Sequence, residues 1–431
     1  MAAIAGLILF STFFFLLIFG APIAIAIILS SVITFLAVLP FDVAILTSAQ
    51  RMVTGIDNFT MLAIPLFVLS GIIMNNGGIA FRLVNFAKVL VGKLPGSLAH
   101  TNVVGNMLFG AIAGSSVASA AAMGRIMGPM QTNHGYKKTY SAAVNIASAP
   151  TGLIIPPSSV LIVYSLVSGG TSVAALFMAG YIPGILWGLA VMVVAYFMAK
   201  KENYPVSPMP SFKDVVYIIL SAVPSLLLIL IVIGGIVAGI FTATEGAAVA
   251  VIYSTLLSMI YRSIKIKEVP GIFRETIEIT GMILFLITAS ALFSLVMSYM
   301  GLPQAISNAL LSITENQFGL TLIMILILLV VGTFMDITPA VLIFTPIFLP
   351  VAQNFGIDPV HFGMIVCFAL CIGNMTPPVG SALFVGCSVA GVKIEDVIGT
   401  LLPYFGVVII VLLLVAFIPQ ISLFLPSLFG L

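Results

Sequence analysis

The chain has 431 residues, 61% of them hydrophobic and only 6% charged, with a formal net charge of +2. A soluble domain is about a quarter charged, and a water-soluble fold of this composition would expose too much apolar surface to stay monomeric. Apolar runs of about eighteen residues or more recur from end to end and mark an all-α polytopic membrane protein embedded in lipid. No basic stripe points to nucleic acid.

In chain order, segments 4–20 and 22–39 read as two helices parted at Gly20-Ala21-Pro22. The first lacks a charged leader region and a cleavage site, so it reads as a retained membrane helix. Residues 42–58 hold Asp42, Arg51 and Asp57 among apolar neighbours and suit a helix along the interface. A span near 59–76 precedes an amphipathic stretch at 80–93. Residues 98–135 form a two-limbed segment centred on Gly114-Ser115-Ser116, followed by a broken helix at 139–166 and a span at 173–199. A polar linker around Lys200–Lys213 divides the halves. Spans near 214–240 and 244–262 follow, then a charged stretch, Arg262 to Glu278, ahead of a span ending near Met300. A polar connector around Ser307–Gln317 leads into a second two-limbed segment, 320–356, centred on Asp336-Ile337-Thr338-Pro339. A broken helix at 360–388 and a last span at 397–420 complete the chain.

The halves share their helix breakers. Pro156-Pro157 recurs 221 residues later as Pro377-Pro378, and the same offset carries Pro129 onto Pro350, Gly135 onto Gly356, Gly152 onto Gly373 and Gly170 onto Gly391. Paired repeats with broken helices near the bilayer midplane are a common plan for secondary transporters. Lys137-Lys138 and Lys200-Lys201 in the first half face Asp358 and an uncharged end in the second. Lys and Arg favour cytoplasmic loops, so the halves read as inverted-topology repeats with both termini extracytoplasmic. By that parity residues 98–135 leave and return on one side. Each limb is marginal for spanning about 30 Å, so both two-limbed segments read as paired re-entrant helical hairpins.

Non-helical backbone survives in a membrane only where protein buries it or it lines a cavity. Two hairpin tips and two helix breaks meet that description. Their freed carbonyls and Ser, Thr or Asn oxygens suit a hard monovalent cation such as Na+, and half-helix N-termini suit an anion. The candidate sodium ligands are Ser115, Ser116, Pro150 and Gly152 in the first half, and Gly332, Thr333, Asp336, Thr338, Gly373, Asn374 and Thr376 in the second. Ser119, Pro156, Pro157, Ser158, Pro377 and Pro378 flank the expected substrate site. Arg125 either binds a substrate carboxylate or snorkels to the cytoplasmic surface and pairs with lipid. The alternative for all of these is structural: Ser and Thr back-bond within helices, and Gly and Pro permit kinks and close packing.

An intramembrane carboxylate is a functional candidate by default, and Asp336 could ligate a cation or carry a proton. Glu245 could act likewise or serve only as an N-terminal helix carboxylate. His100, His134 and His361 read as interfacial residues. Cys367, Cys371 and Cys387 read as packing thiols; the first two have helical i, i+4 spacing but no neighbouring His or carboxylate cluster to complete a metal site. No catalytic motif is present: no His-Glu-x-x-His, no P-loop and no Gly-x-Gly-Asp. A channel would need a repeated filter, which the sequence lacks.

Gly114-Ser115-Ser116, Gly128-Pro129-Met130 with Gly135-Tyr136, Ile154-Ile155-Pro156-Pro157-Ser158, Ala179-Gly180-Tyr181-Ile182-Pro183-Gly184, Thr244-Glu245-Gly246-Ala247-Ala248 and Asn374-Met375-Thr376-Pro377-Pro378-Val379-Gly380 carry a resemblance over essentially the whole chain. They resemble the large membrane subunit, of the DctM or SiaM type, of tripartite ATP-independent periplasmic (TRAP) transporters. The family often has Pro where Ala243 stands and Ala where Gly246 stands. The resemblance implies an elevator-type importer of organic acids in the bacterial inner membrane, driven by two or more Na+. It also implies a small four-helix membrane subunit, here a separate polypeptide, and a soluble periplasmic binding protein. Residues 1–94 and 214–316 would form a scaffold, 95–200 and 317–431 a sliding transport domain, and 201–213 a cytoplasmic linker. The Ser and Ala pattern of the first hairpin and Tyr136-Lys137-Lys138-Thr139-Tyr140 look most like the sialic-acid branch. A C4-dicarboxylate permease and a proton-coupled organic-anion carrier are the alternatives.

Overall fold

The structure, a computed structural model, describes residues 2–206, 211–314, 316–377 and 380–431, and every regular element among them is helical. The first half runs α1 (Ala2–Ile18), α2 (Ile23–Leu36), α3 (Phe41–Thr54), a 3-10 turn at Phe59–Leu62, α4 (Ala63–Asn76) and α5 (Ile79–Val91). The first hairpin is α6 (Ser97–Ala113) with α7 (Ser116–Asn133), and the broken helix is α8 (Lys138–Ser148), α9 (Thr151–Ile154) and α10 (Ser159–Val167). α11 (Val173–Lys201) closes the half. The second half runs α12 (Phe212–Val237), α13 (Ala243–Ile260), α14 (Val269–Tyr299) and α15 (Leu302–Ile313). Its hairpin is α16 (Gln317–Phe334) with α17 (Ile337–Asn354), its broken helix α18 (Pro359–Asn374) with α19 (Ser381–Ala390), and α20 (Ile394–Phe417) and α21 (Gln420–Leu428) finish the chain. Among the described residues eight helices are long and apolar enough to cross a membrane, or nine if the α8-to-α10 run, bent by 48°, counts as one span.

Polar caps set many of the helix starts in this apolar chain. Ser115, Ser158, Ser172, Ser211 and Asn316 each accept a first-turn N–H. Thr242 and Glu245 form a capping box, in which Glu245 Oε2 accepts the Thr242 N–H at 2.8 Å and its hydroxyl at 2.9 Å. Glu245 thus acts as a capping carboxylate. Gly135 and Gly356 take left-handed φ values of +81° and +76° where each hairpin turns into its broken helix, a conformation that costs a residue with a Cβ.

Helices of the two hairpin units interlock. α7 packs on α19, α8 on α20, and α11 on α6, α9, α18, α20 and α21. Trp187 of α11, fully buried, donates its indole N–H to the Ala147 carbonyl of α8 at 2.8 Å and lies 4.6 Å, ring to ring, from Phe368 of α18. A second set joins α2 and α4 to α14, and α4 to α13.

The structure departs from the sequence expectations in several places. The charged stretch ahead of the α14 span is largely helical: Arg274 and Glu278 pair one turn apart at 2.9 Å within α14, so the helix runs on past its apolar window. The connector expected around 307–317 is mostly α15, and α21 was not foreseen. The linker does not leave the bundle at once. Tyr204, only 8% exposed, stacks on Tyr136 at 4.3 Å and accepts the Lys137 N–H at 3.1 Å, while Lys137 and Glu202 pair at 2.7 Å. That pairing holds the Lys137 ammonium above its usual range. Burial pushes the Tyr136 phenol up to about 12. His100 and His361 are enclosed, bonded to the Pro95 and Ala416 carbonyls, and only His134 is exposed. All three cysteines are free and buried, as packing thiols should be.

Candidate functional site

The first tip forms because Gly114 ends α6 in the left-handed region (φ +57°) and Ser115 then starts α7 by accepting the Ala118 N–H at 3.3 Å. The first break is tied to it: Ser159 donates its hydroxyl to the Gly114 carbonyl at 2.9 Å. Within the break, Ser158 donates to the Leu153 carbonyl and caps α10 by accepting the Leu161 N–H. The second tip is built differently. Asp336 precedes α17 without bonding its first turn through the carboxylate; Oδ1 instead accepts the Ser381 hydroxyl at 3.1 Å.

Asn374 joins these parts. Its Nδ2 donates to Ser116 Oγ at 3.1 Å, and its Oδ1 accepts both the Ser381 hydroxyl and the Ala382 N–H at 2.7 Å. One 3%-exposed amide therefore connects the first tip to the start of α19, and through Ser381 to Asp336.

Both tips and both breaks open on one cavity of about 140 Å³. Ser115, Ser116, Asp336, Thr338 and Asn374 line it, together with Ser159 and, from α14, Ile279 and Ile283. Five sequence candidates thus share one space. The other candidates lie behind it. Gly152 meets Gly110, and Gly373 meets Gly332, backbone to backbone; a Cβ on Gly152 or Gly373 would fall inside 3.0 Å of its partner's Cα. Pro150 precedes α9 and is buried. Thr333 donates back to the Val330 carbonyl of its own helix, and Thr376, just past the end of α18, to the Ile372 carbonyl, both at 2.7 Å.

Of the expected substrate-flanking residues, Ser119 is turned away. It is fully buried and donates to Asn106 Oδ1 at 2.7 Å, because the returning limb faces α6 at this turn. Arg125 is exposed on α7 and does not line the cavity. Pro156 borders a separate apolar cavity, and Pro157 presents its carbonyl near Gly114. Ser158 is fully buried in its cap, Pro377 is half-buried, and Pro378 lies outside the described residues.

Sequence reasoning placed Ser159 at the end of the first break without assigning it a role, and it missed Ser381, Gly110 and the buried amide cluster of Asn102, Asn106 and Asn145. Gly110 sits 222 residues before Gly332, one off the repeat offset, and that near-match was its signal. In the cluster, Asn106 Nδ2 lies 2.7 Å from Ser148 Oγ and 3.1 Å from both Asn102 Oδ1 and Asn145 Oδ1, while Asn145 Nδ2 donates to the Ala120 carbonyl at 2.8 Å. It locks α6, α7 and α8 together.

A multi-pass helical bundle whose interrupted helices converge on one small oxygen-lined cavity is the build of a membrane transport protein. Residues 10–421 match the family described as the tripartite ATP-independent periplasmic transporter, DctM component, and the chain belongs to it: a permease subunit for organic acids, not an enzyme, in the bacterial inner membrane. It is 53% identical to YgiK of Salmonella typhimurium over 98% of each chain. It is 39% identical to the sialic acid TRAP transporter large permease SiaM of Vibrio cholerae, over 89% of this chain and 90% of that one. Identity with the C4-dicarboxylate large permease DctM of Pseudomonas aeruginosa is 38%, over 93% and 94%. The crystal structure of the YdaH transporter of Alcanivorax borkumensis shares the fold, with a TM-score of 0.61 over 87% of this chain and 88% of that one at 13% identity.

Proposed function

We propose that this subunit imports an organic acid, sialic acid first among the substrates, by Na+ symport, taking it from a periplasmic binding protein and working beside a small four-helix membrane subunit. The observation that carries the proposal is the cavity in which both tips and both breaks present hydroxyl, amide and carboxylate oxygens. Neutral oxygens suit a hard monovalent cation, and the N-termini of α7, α10 and α17 at the same cavity favour an anionic carboxylate. Asp336, its carboxylate not engaged in capping α17, is the charged ligand of the second cluster. On this reading Na+ orders the tips. The unit 95–200 with 317–431 then carries the substrate inward along the scaffold of 1–94 with 214–316, joined by the linker 201–213. The interlocking of α7 with α19 and of α8 with α20 supports treating the first pair of segments as one body.

A tenfold Na+ gradient is worth about 1.4 kcal/mol per ion, and one charge crossing 100 mV about 2.3 kcal/mol. Two Na+ with a monoanion supply roughly 5 kcal/mol, enough for about 10³- to 10⁴-fold accumulation.

The cavity's size favours one second reading. At about 140 Å³ it is close to the roughly 150 Å³ that accommodates benzene. A four-carbon dicarboxylate fits that space more nearly than a nine-carbon sugar acid, for which the hairpins must part. The deciding experiment is uptake of labelled sialic acid into vesicles holding this chain and its small subunit, with binding protein outside and an inward Na+ or K+ gradient. Uptake with Na+ and binding protein alone is expected. Activity only on a C4-dicarboxylate with its own binding protein would reassign the substrate, and proton-driven or binding-protein-independent uptake would overturn the mechanism.

A further inference from the structure

We propose that a phospholipid acyl chain occupies the cavity of about 630 Å³ that lies between α12 and the face formed by α6, α11 and the first break. Met107, Pro156 and Tyr181 form one wall, Ile229 and Ile233 of α12 the other, and Phe429 closes one side. Among the described lining residues, the Tyr181 hydroxyl is the only side-chain oxygen or nitrogen. A buried water needs two to four polar partners, and the lining side chains offer one, so the cavity favours hydrocarbon over ordered water. The space is also open to hydrocarbon: Leu230, on its rim, is 67% exposed, and its neighbours Leu227 and Ile231 are 39% and 37% exposed. Lipid tails are the solvent at that surface.

Size selects the occupant. Scaled from the roughly 150 Å³ cavity that takes one benzene, the space holds about two dozen carbon atoms, one acyl chain with room to move. A partner helix does not fit. Three turns of helix, roughly 10 Å across and 16 Å long, need on the order of 1,300 Å³, so the slot admits a tail but not a transmembrane segment. The backbone supplies a plug for the test: a Cβ placed on Gly234 of α12, a lining residue, would meet nothing within 4 Å. The inference stands apart from the choice of substrate or coupling ion.

The full chain would be reconstituted in phosphatidylethanolamine–phosphatidylglycerol vesicles whose acyl chains carry either a mid-chain diazirine or mid-chain bromines. Photolabelling is expected on the inward residues Met178 and Ile233, and it should fall severalfold in Gly234→Phe. It should be unchanged in Gly281→Phe, an outward position on α14 where a Cβ also meets nothing. Trp187, the single tryptophan, adjoins Gly188, against which Met107 of the cavity wall packs. Its quenching by the brominated chains should fall in Gly234→Phe and less so in the smaller Gly234→Leu, which serves if the Phe variant folds poorly. Labelling of Met178 and Ile233 that is absent, or equal in wild type and both Gly234 variants, would overturn the proposal. So would labelling that disappears once the small membrane subunit is bound, since a protein segment would then be the occupant.

Discussion

Asn374 gives the sharpest test of whether the two halves act through one site. Replacing it with Ala removes three bonds: to the Ser116 hydroxyl, the Ser381 hydroxyl and the Ala382 N–H. Ala382 is fully buried, so its N–H loses its partner without gaining water, at about 1–3 kcal/mol. The two hydroxyls border the cavity region and can re-pair, at about 0.5–1.5 kcal/mol each. The sum for Asn374→Ala is about 2–6 kcal/mol, whereas Ser116→Ala removes a single bond at about 1 kcal/mol. If this network pre-forms the ion site, those energies appear in the half-saturating Na+ concentration for uptake. Ser116→Ala should then shift it about fivefold and Asn374→Ala about thirtyfold or more. Uptake assayed against external Na+ in vesicles, alongside a detergent unfolding midpoint read from Trp187, separates site effects from loss of fold. An Asn374→Ala shift no larger than that of Ser116→Ala would refute the reasoning.

Gly373→Ala and Gly152→Ala should each destabilise the protein by about 1–3 kcal/mol through overpacking, while Gly332→Ala, whose Cβ reaches no nearer than 3.0 Å to Gly373, should cost less. Gly128→Ala, with nothing within 4 Å, should be neutral or slightly stabilising; thermal unfolding ranks the four. Asp336→Asn keeps an oxygen toward the cavity but cannot carry a proton at neutral pH. Under Na+ coupling its uptake should keep the wild-type pH profile at a lower Na+ affinity, and a flattened profile would point to proton coupling. Tyr204→Phe should cost about 1 kcal/mol for the lost hydroxyl bond, and Tyr204→Ala about 3–5 kcal/mol for the lost stacked ring. Equal melting of these two variants would mean that the linker is not anchored there.

The helices were legible because Gly and Pro interrupt an otherwise uniform apolar chain, and an interruption in a membrane is conspicuous whatever its partners. Ser115, Ser116, Asp336, Thr338 and Asn374 could be named for the same reason: each sits at an interruption. Ser381 was not legible, since its tie to Asp336 bridges 45 positions and depends on how the second break returns. Ser119 was misplaced because sequence puts it one turn past the tip without showing which face of α7 meets α6. The capping role of Glu245 was half-visible, as Thr242-Ala243-Thr244-Glu245 is a capping-box pattern, but only the bond to the Thr242 N–H separates it from an intramembrane carboxylate with a task.

The halves match in outline and differ in what holds them. Where the first has Ser119, Asn145 and Ser148, the 221-residue offset leads to Ala340, Val366 and Ala369, and Asn106 leads to Ile327, or to Leu328 at the 222 that relates Gly110 to Gly332. Side-chain bonds between membrane helices contribute about 0.6 kcal/mol on average and up to about 1.7. The amide cluster therefore adds a few kcal/mol against parting α6, α7 and α8, which no counterpart adds between α16, α17 and α18. There the contact is apolar packing around Gly332 and Gly373, and apolar surface that separates in lipid meets tails as apolar as its former neighbours. Among the described residues, the one side-chain bond from another helix to the α17 backbone is Ser290 to the Leu342 carbonyl at 2.7 Å, and it comes from α14. What ties the second hairpin to its broken helix is instead the Asp336–Ser381 bond at 3.1 Å, so the cavity carboxylate itself bears on how easily that hairpin parts.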